Sequence, residues 1–237
     1  MMKNTHKREG DHLEMAQTRL LNSALAHVPF DGWSDQCFSA AINDSGTDAA
    51  LARQAFPRGA LDLACAYHRR GDADMVKRAK TADLETLRYS QRVASLVRFR
   101  IEASNDREII RRGVTFFAQP AHASEGAAAI WQTCDLIWKT LGDTSDDFNW
   151  YSKRLILSGV YSSTLLFWLG DESVGSQATW EFLDRRIENV MQFEKFKGSV
   201  QKAGLFKAFA RGPGQIFGRI NAPKTNPQRD LPGYVEN

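Results

Sequence analysis

The sequence predicts an all-α protein, and three observations carry the prediction. Apolar residues recur at the three-to-four-residue spacing of amphipathic helices, while alternation of β-branched residues is almost absent. Glycine and proline punctuate the periodic stretches. Short polar residues stand at several of their N-terminal ends, where a side-chain oxygen satisfies free backbone N–H groups. The 237 residues suit one large domain or two small ones with a shared core. At 43% hydrophobic and 25% charged residues, the chain has the make-up of a folded protein rather than a disordered one. A formal net charge of +3 is too small to imply a polyanionic partner.

Residues 1–12 are polar and read as a disordered N-terminus, without the apolar stretch of a secretory signal or the Arg/Ser-rich pattern of an organelle leader. Residues 13–27 form the first helix, with Leu13, Ala16, Leu20, Ala24 and His27 on one face, and Pro29 ends it. Ser34 or Asp35 caps a second short helix that stops near Ser45-Gly46. Thr47 and Asp48 cap a third, which runs to Phe56 before Pro57. Residues 13–57 are therefore a three-helix unit.

A fourth helix starts over 59–70. Further helices are expected at 73–79, 83–104, 107–117, 124–140, 147–168 and 175–196, with Gly113, Pro120, Gly142, Gly170 and Gly198 as breaks. Residues 58–197 make up this second unit. Its later helices carry Trp131, Trp138, Trp150, Phe167, Trp168, Trp180 and Phe182. A bundle so rich in large rings either closes into a dense core or leaves an apolar pocket. Residues 221–237, with Pro223, Pro227 and Pro232, read as a disordered tail.

Residues 198–220 are the membrane-contact candidate. From Lys195 to Arg219 there are six basic residues named by position (Lys195, Lys197, Lys202, Lys207, Arg211, Arg219) and no acidic one. In helical projection Leu205, Phe206, Phe209, Ile216, Phe217 and Ile220 fall within an arc of roughly 120°. A Phe-rich face backed by basic residues is the pattern of a helix lying in a membrane interface. Leu205, Phe206, Lys207, Phe209, Arg211, Ile216 and Phe217 are the expected contacts. The competing reading packs this face on the protein's own body or on a second subunit, and Gly212-Pro213-Gly214 interrupts the helix. No apolar run reaches the length needed to span a bilayer.

Residues 142–154 (Gly-Asp-Thr-Ser-Asp-Asp-Phe-Asn-Trp-Tyr-Ser-Lys-Arg) are the most distinctive stretch. Asp146, Asp147 and Asn149 open a helix, and Phe148, Trp150 and Tyr151 arrive within its first turn. Successive helical residues point about 100° apart, so one core does not easily absorb all three rings. At least one is expected at a boundary or on the surface, where aromatics serve partner sites; the alternative is a helix cap with every ring inside.

Catalytic patterns are missing. His6, His12, His27, His68 and His122 are scattered, with His27 read as a helix-end residue and His68 as a solvated helix end. No di-iron Glu-x-x-His pair, His-Glu-x-x-His, phosphate loop or dinucleotide fingerprint occurs. Cys37, Cys65 and Cys134 are odd in number and lack zinc-ligand spacing. No cofactor or metal is expected, and the protein is not read as an enzyme.

The three short helices and the longer fourth resemble the DNA-binding half of TetR-family regulators, with Leu51 to Leu61 in the place of the recognition helix and its following turn. Ala49, Ala50, Leu51 and Ala52 fill much of that helix, and only Arg53 and Gln54 offer base-reading chemistry. Nucleic acid is therefore not an expected partner. A regulator answering a hydrophobic ligand is the alternative function.

A second resemblance is more specific. Asp143 to Arg154, Val160-Tyr161-Ser162-Ser163-Thr164, Trp168, Asp171-Glu172-Ser173 and Thr179 to Ile187 are similar to the signature of the lipid-binding accessory protein family of ubiquinone biosynthesis, and Leu20-Leu21, His27 to Phe30 and Gly32-Trp33 follow in the same order. The resemblance covers about residues 13–210, within the usual boundary uncertainty. It implies a TetR-like fold that binds isoprenoid quinone intermediates or phospholipid and presents them to the demethoxyubiquinone hydroxylase. It also implies a homodimer through the last long helices and contact with a membrane surface. Trp150 and Tyr151, with Ile137 and Trp138 beside them, would face the hydroxylase. Arg154 matches the family's basic position near bound lipid, the competing reading being an ion pair with Asp146 or Asp147. The expected location is cytoplasmic, bacterial and peripheral to the inner membrane.

Overall fold

Side-chain caps set the starts of three helices. The computed structural model describes residues 2–104, 106–145 and 148–202. Among them are nine α-helices and no strand: α1 Met2–Asp31, α2 Asp35–Ser45, α3 Ala49–Ala55, α4 Ala60–Thr81, α5 Tyr89–Glu102, α6 Arg107–Phe117, α7 Ala123–Thr140, α8 Phe148–Leu169 and α9 Gln177–Lys202. The Ser34 hydroxyl accepts the Cys37 N–H at the start of α2 (3.1 Å), and Asp48 accepts those of Ala50 and Leu51 at α3. Asp106 does the same for Glu108 and Ile109 at α6. Gly46 closes α2 with φ 61°, a left-handed conformation that a side chain disfavours.

Several boundaries differ from the sequence expectation. The first helix begins at Met2, within the stretch read as disordered, and runs through Pro29 to Asp31. A proline in the last turn removes only one helical hydrogen bond, so the helix survives it. The Pro29 carbonyl accepts from Arg112 (2.9 Å). Helix α4 is continuous across Gly71, where two helices were expected. A Cβ there would lie 2.7 Å from Arg100 Nη1, so this glycine admits a side chain from α5 instead of ending α4. Helix α5 starts at Tyr89 rather than 83, because Arg92 reaches back to the carbonyls of Leu87 (2.9 Å) and Glu85 (2.5 Å) and holds a turn. Gly113 and Gly198 lie inside α6 and α9.

Two apolar cores form. The first joins α1–α3 to the start of α4 and to α6 through Leu20, Val28, Phe38, Phe56, Leu63 and Phe116. The second joins the rest of α4 to α5, α7, α8 and α9 through Met75, Leu96, Val97, Ile137, Leu157 and Leu183. Asp171 builds the α8–α9 corner. Its carboxylate accepts from the Ser173 N–H (2.8 Å) and from the N–H and hydroxyl of Thr179 (2.9 and 2.5 Å). These hydrogen bonds hold it well below the usual carboxylate range. Arg107 then ties α6 to the corner through the Asp171 carbonyl and the Ser176 hydroxyl.

Candidate functional site

A cavity of about 380 Å³ lies where the two cores meet, bounded by α4–α8 and Trp33. That is at the lower end of the range for small-molecule sites. Its walls are apolar, with Ile109, Val114, Phe117, Ile130 and Leu165 among them. Gly126 lets α7 approach α6: a Cβ there would stand 2.8 Å from the Phe117 Cβ. The Trp33 indole N–H, beside Gly113, has no hydrogen-bond partner among the described residues.

One side of the cavity is polar. Tyr67, His68, Arg100 and Tyr161 line it. Arg100 donates through Nε to Asp72 Oδ1 (2.5 Å) and through Nη2 to the His68 carbonyl (3.0 Å). Thr133 donates to the same Asp72 oxygen (2.8 Å) and pairs with His68 Nε2 (2.8 Å). Tyr67 pairs with Ser104 (2.6 Å). Burial, reinforced by the charge on Arg100, lowers His68 to about 4, so the ring is neutral at neutral pH. Burial pushes the Tyr161 phenol up, keeping it protonated. His68 is thus a mostly buried network member in the middle of α4, its side chain 16% exposed, not a solvated helix end.

The sequence-chosen residues lie elsewhere. Trp150 and Tyr151 are half-buried and form a cluster with Trp131, at centroid distances of 5.8 and 6.3 Å. Ile137 does not share their surface. It is fully buried in the second core, because α7 turns this face onto α8. Trp138 is buried and stacks on Tyr89 (6.2 Å).

Arg154 also departs from expectation. It is 1% exposed, outside the cavity lining, and donates to Asp135 (2.6 Å), Asp143 (3.4 Å) and the Trp150 carbonyl (2.9 Å). Its cationic head meets carboxylates of its own chain, which leaves it poorly placed to bind a lipid headgroup. Asp143 also binds Lys153 (2.7 Å). The side chains of Asp146, Asp147, Phe148 and Asn149 lie outside the described residues, as do Leu205, Phe206, Lys207, Phe209, Arg211, Ile216, Phe217, Ile220 and the tail.

Helix α8 exposes Leu155, Leu166 and Phe167, with Gly159 between the leucines on the same face. Leu166 also lines the cavity, so the pocket reaches this face. All three cysteines are free, and burial pushes Cys37 and Cys134 up to about 11. Among the described residues no cluster of His, Cys, Asp and Glu is placed to hold a metal ion, and no helix is long and apolar enough to cross a membrane.

Fold and cavity define the class: an all-helical, TetR-like protein with ligand-sized space in its second unit. The crystal structure of a TetR transcriptional regulator from Nitrosomonas europaea superposes with a TM-score of 0.60 over 73% of this chain and 95% of that one. At 20% identity this is a likeness of fold alone. Within that class the chain is similar to the COQ9 family, whose model matches residues 123–194, from α7 into α9. Ubiquinone biosynthesis protein COQ9, mitochondrial, of Drosophila melanogaster is 28% identical over 213 residues, covering 86% of this chain and 64% of the fly protein. The human protein of that name is 24% identical, covering 81% and 62%, and the Schizosaccharomyces pombe protein 27%, covering 84% and 83%. The chain thus spans less than two thirds of the fly and human relatives.

Proposed function

We propose that this protein is a lipid-binding accessory protein of ubiquinone biosynthesis, which holds an isoprenoid quinone intermediate and presents it to the demethoxyubiquinone hydroxylase. The observation that carries the reading is the apolar cavity of about 380 Å³ in a chain similar to COQ9 proteins. An isoprenoid substrate is buried in the bilayer, and a hydroxylase working from outside needs its head withdrawn and sheltered. An apolar cavity offers that shelter, since burying a methylene gains about 0.8 kcal/mol.

The half-buried Trp131, Trp150 and Tyr151 cluster is the proposed hydroxylase surface, as rigid amphipathic rings favour interfaces. Ile137 and Trp138 are buried and have no part in it. The basic, Phe-bearing stretch from Leu205 to Ile220 is the proposed contact with the membrane surface. A homodimer through α8 and α9 is proposed on the exposed Leu155, Leu166 and Phe167.

Mass spectrometry of solvent extracts of the purified protein tests the reading. A prenylated quinone or its precursor is expected at near-stoichiometric amount. Extracts free of isoprenoid, from cells that make isoprenoid quinones, would overturn it.

A further inference from the structure

The polar side of the cavity has a feature that shelter alone does not require. Arg100 is the sole charged side chain among the cavity-lining residues, and the Asp72 carboxylate 2.5 Å away already balances it. His68 is neutral and bound to Thr133. An entering carboxylate or phosphate would meet no unpaired cation, and would lose its hydration without replacement. An entering ammonium group would find the one nearby carboxylate taken.

The hydroxyls differ in their commitments. Tyr67 is engaged by Ser104 at 2.6 Å. Tyr161 is 2% exposed, lines the cavity from α8, and has the Arg100 guanidinium 6.0 Å from its ring centre. Its hydroxyl has no hydrogen-bond partner among the described residues. Among the described residues, the buried side-chain polar atoms without a hydrogen-bond partner are the indole N–H groups of Trp33 and Trp138, His122 Nδ1 and Arg112 Nε; the Tyr161 hydroxyl instead opens onto the cavity, where an acceptor delivered by a ligand can pair with it. The neighbouring network fixes the surroundings, so the donor is held ready before a ligand arrives.

We propose that this polar floor selects ligands with an uncharged head carrying an oxygen acceptor, and that the Tyr161 hydroxyl is the donor that reads it. The inference rests on the cavity being a lipid site, and assigns within it a residue and a head chemistry. A ketone, ether or ester oxygen fits; a carboxylate, phosphate or bare hydrocarbon end does not.

Three probes of similar skeleton test it, followed by tryptophan fluorescence, for which Trp33 stands in the wall. They are geranylacetone, the hydrocarbon with a methylene in place of its carbonyl, and farnesoate. The wild-type chain should bind the ketone about tenfold more tightly than the hydrocarbon, the scale of one net hydrogen bond. Farnesoate should bind more weakly than the ketone. Tyr161→Phe should bind the hydrocarbon as the wild type does, which also reports intact folding, and should lose the preference for the ketone. Equal affinity of wild type for ketone and hydrocarbon, tightest binding of farnesoate, or a preference that survives Tyr161→Phe would overturn the assignment while leaving the lipid site standing. Failure of all three probes to bind would remove both.

Discussion

Two buried arginines sit in the second unit, at 4% and 1% exposure, and they are used in opposite ways. Arg154 on α8 faces two carboxylates. Asp135 and Asp143 both reach it, and each has a lysine of its own, Lys139 and Lys153, at 2.7 Å. The result is a closed ionic joint between α7, the turn after it and α8. Arg100 on α5 has one carboxylate, Asp72, which is shared with Thr133, and it lies on the wall of a cavity. One site locks helices together; the other gives an apolar pocket a polar side. The number of partners, not the residue type, makes the difference.

The largest expected effect breaks this comparison directly. Arg100→Ala leaves Asp72 buried with only Thr133 donating to it through a side chain, and should cost about 3–5 kcal/mol, as loss of one partner of a buried pair does. Arg154→Ala should cost roughly half as much, because Lys139 and Lys153 remain on Asp135 and Asp143. Urea unfolding of the two variants measures both. Equal losses would mean that the lysines contribute nothing and that the two sites are not distinct.

Acid separates the sites next. His68 has a folded value of about 4 against an ordinary 6.5, so the unfolded chain takes up its proton first. The stability conferred by the neutral ring is full above pH 6.5 and drains away as pH falls to about 4, by up to roughly 3 kcal/mol. His68→Gln should flatten unfolding free energy across that window. The Arg154 joint works lower down. Burial pushes the Asp143 carboxyl up, but hydrogen bonds from Lys153 and Ser145 more than offset it and hold it below its ordinary 3.8. Its contribution is present above that value and is lost only as pH falls further, through the depressed folded value. A pH series of wild type, His68→Gln and Asp143→Asn should therefore show two separate acid limbs. A single limb common to all three would mean that the sites titrate as one.

These two sites also show what was legible in the sequence. The helices read well where caps announce them, as at Ser34 and Asp48. They read poorly where a tertiary contact decides, as at Gly71, whose missing side chain makes room for Arg100. The signature residues stood out, yet the structure gives several of them construction work. Asp171 and Thr179 build a corner, and Arg154 closes a joint. The polar side of the cavity was present in the pattern. His68 and Asp72 follow Ala64 at four-residue steps along the core face of α4, ahead of Met75 and Ala79, and Arg100 stands in register with Val93 and Val97 on α5. Polar residues at core positions of an amphipathic helix are the signal. What no periodicity encodes is that the residues come together across 28 and 61 positions of chain, as Arg100 and Thr133 do on Asp72.

The smallest expected effect sharpens the comparison within the cavity itself. Tyr67 and Tyr161 both line the polar side, and each loses one oxygen on replacement by phenylalanine. Tyr67→Phe strips Ser104 of a 2.6 Å partner and should cost about 1 kcal/mol. Tyr161→Phe removes a hydroxyl that bonds to nothing among the described residues, in a position whose ring packs in the second core. Removing a hydroxyl that faces the cavity and bonds to no described protein group, while keeping the ring, should leave stability within about 0.5 kcal/mol of wild type. Denaturation of ligand-free protein decides the point. A loss at Tyr161 as large as that at Tyr67 would show that its hydroxyl already serves the fold and is not held for a ligand. A neutral result would set a hydroxyl left free for a ligand against the saturated joint at Arg154.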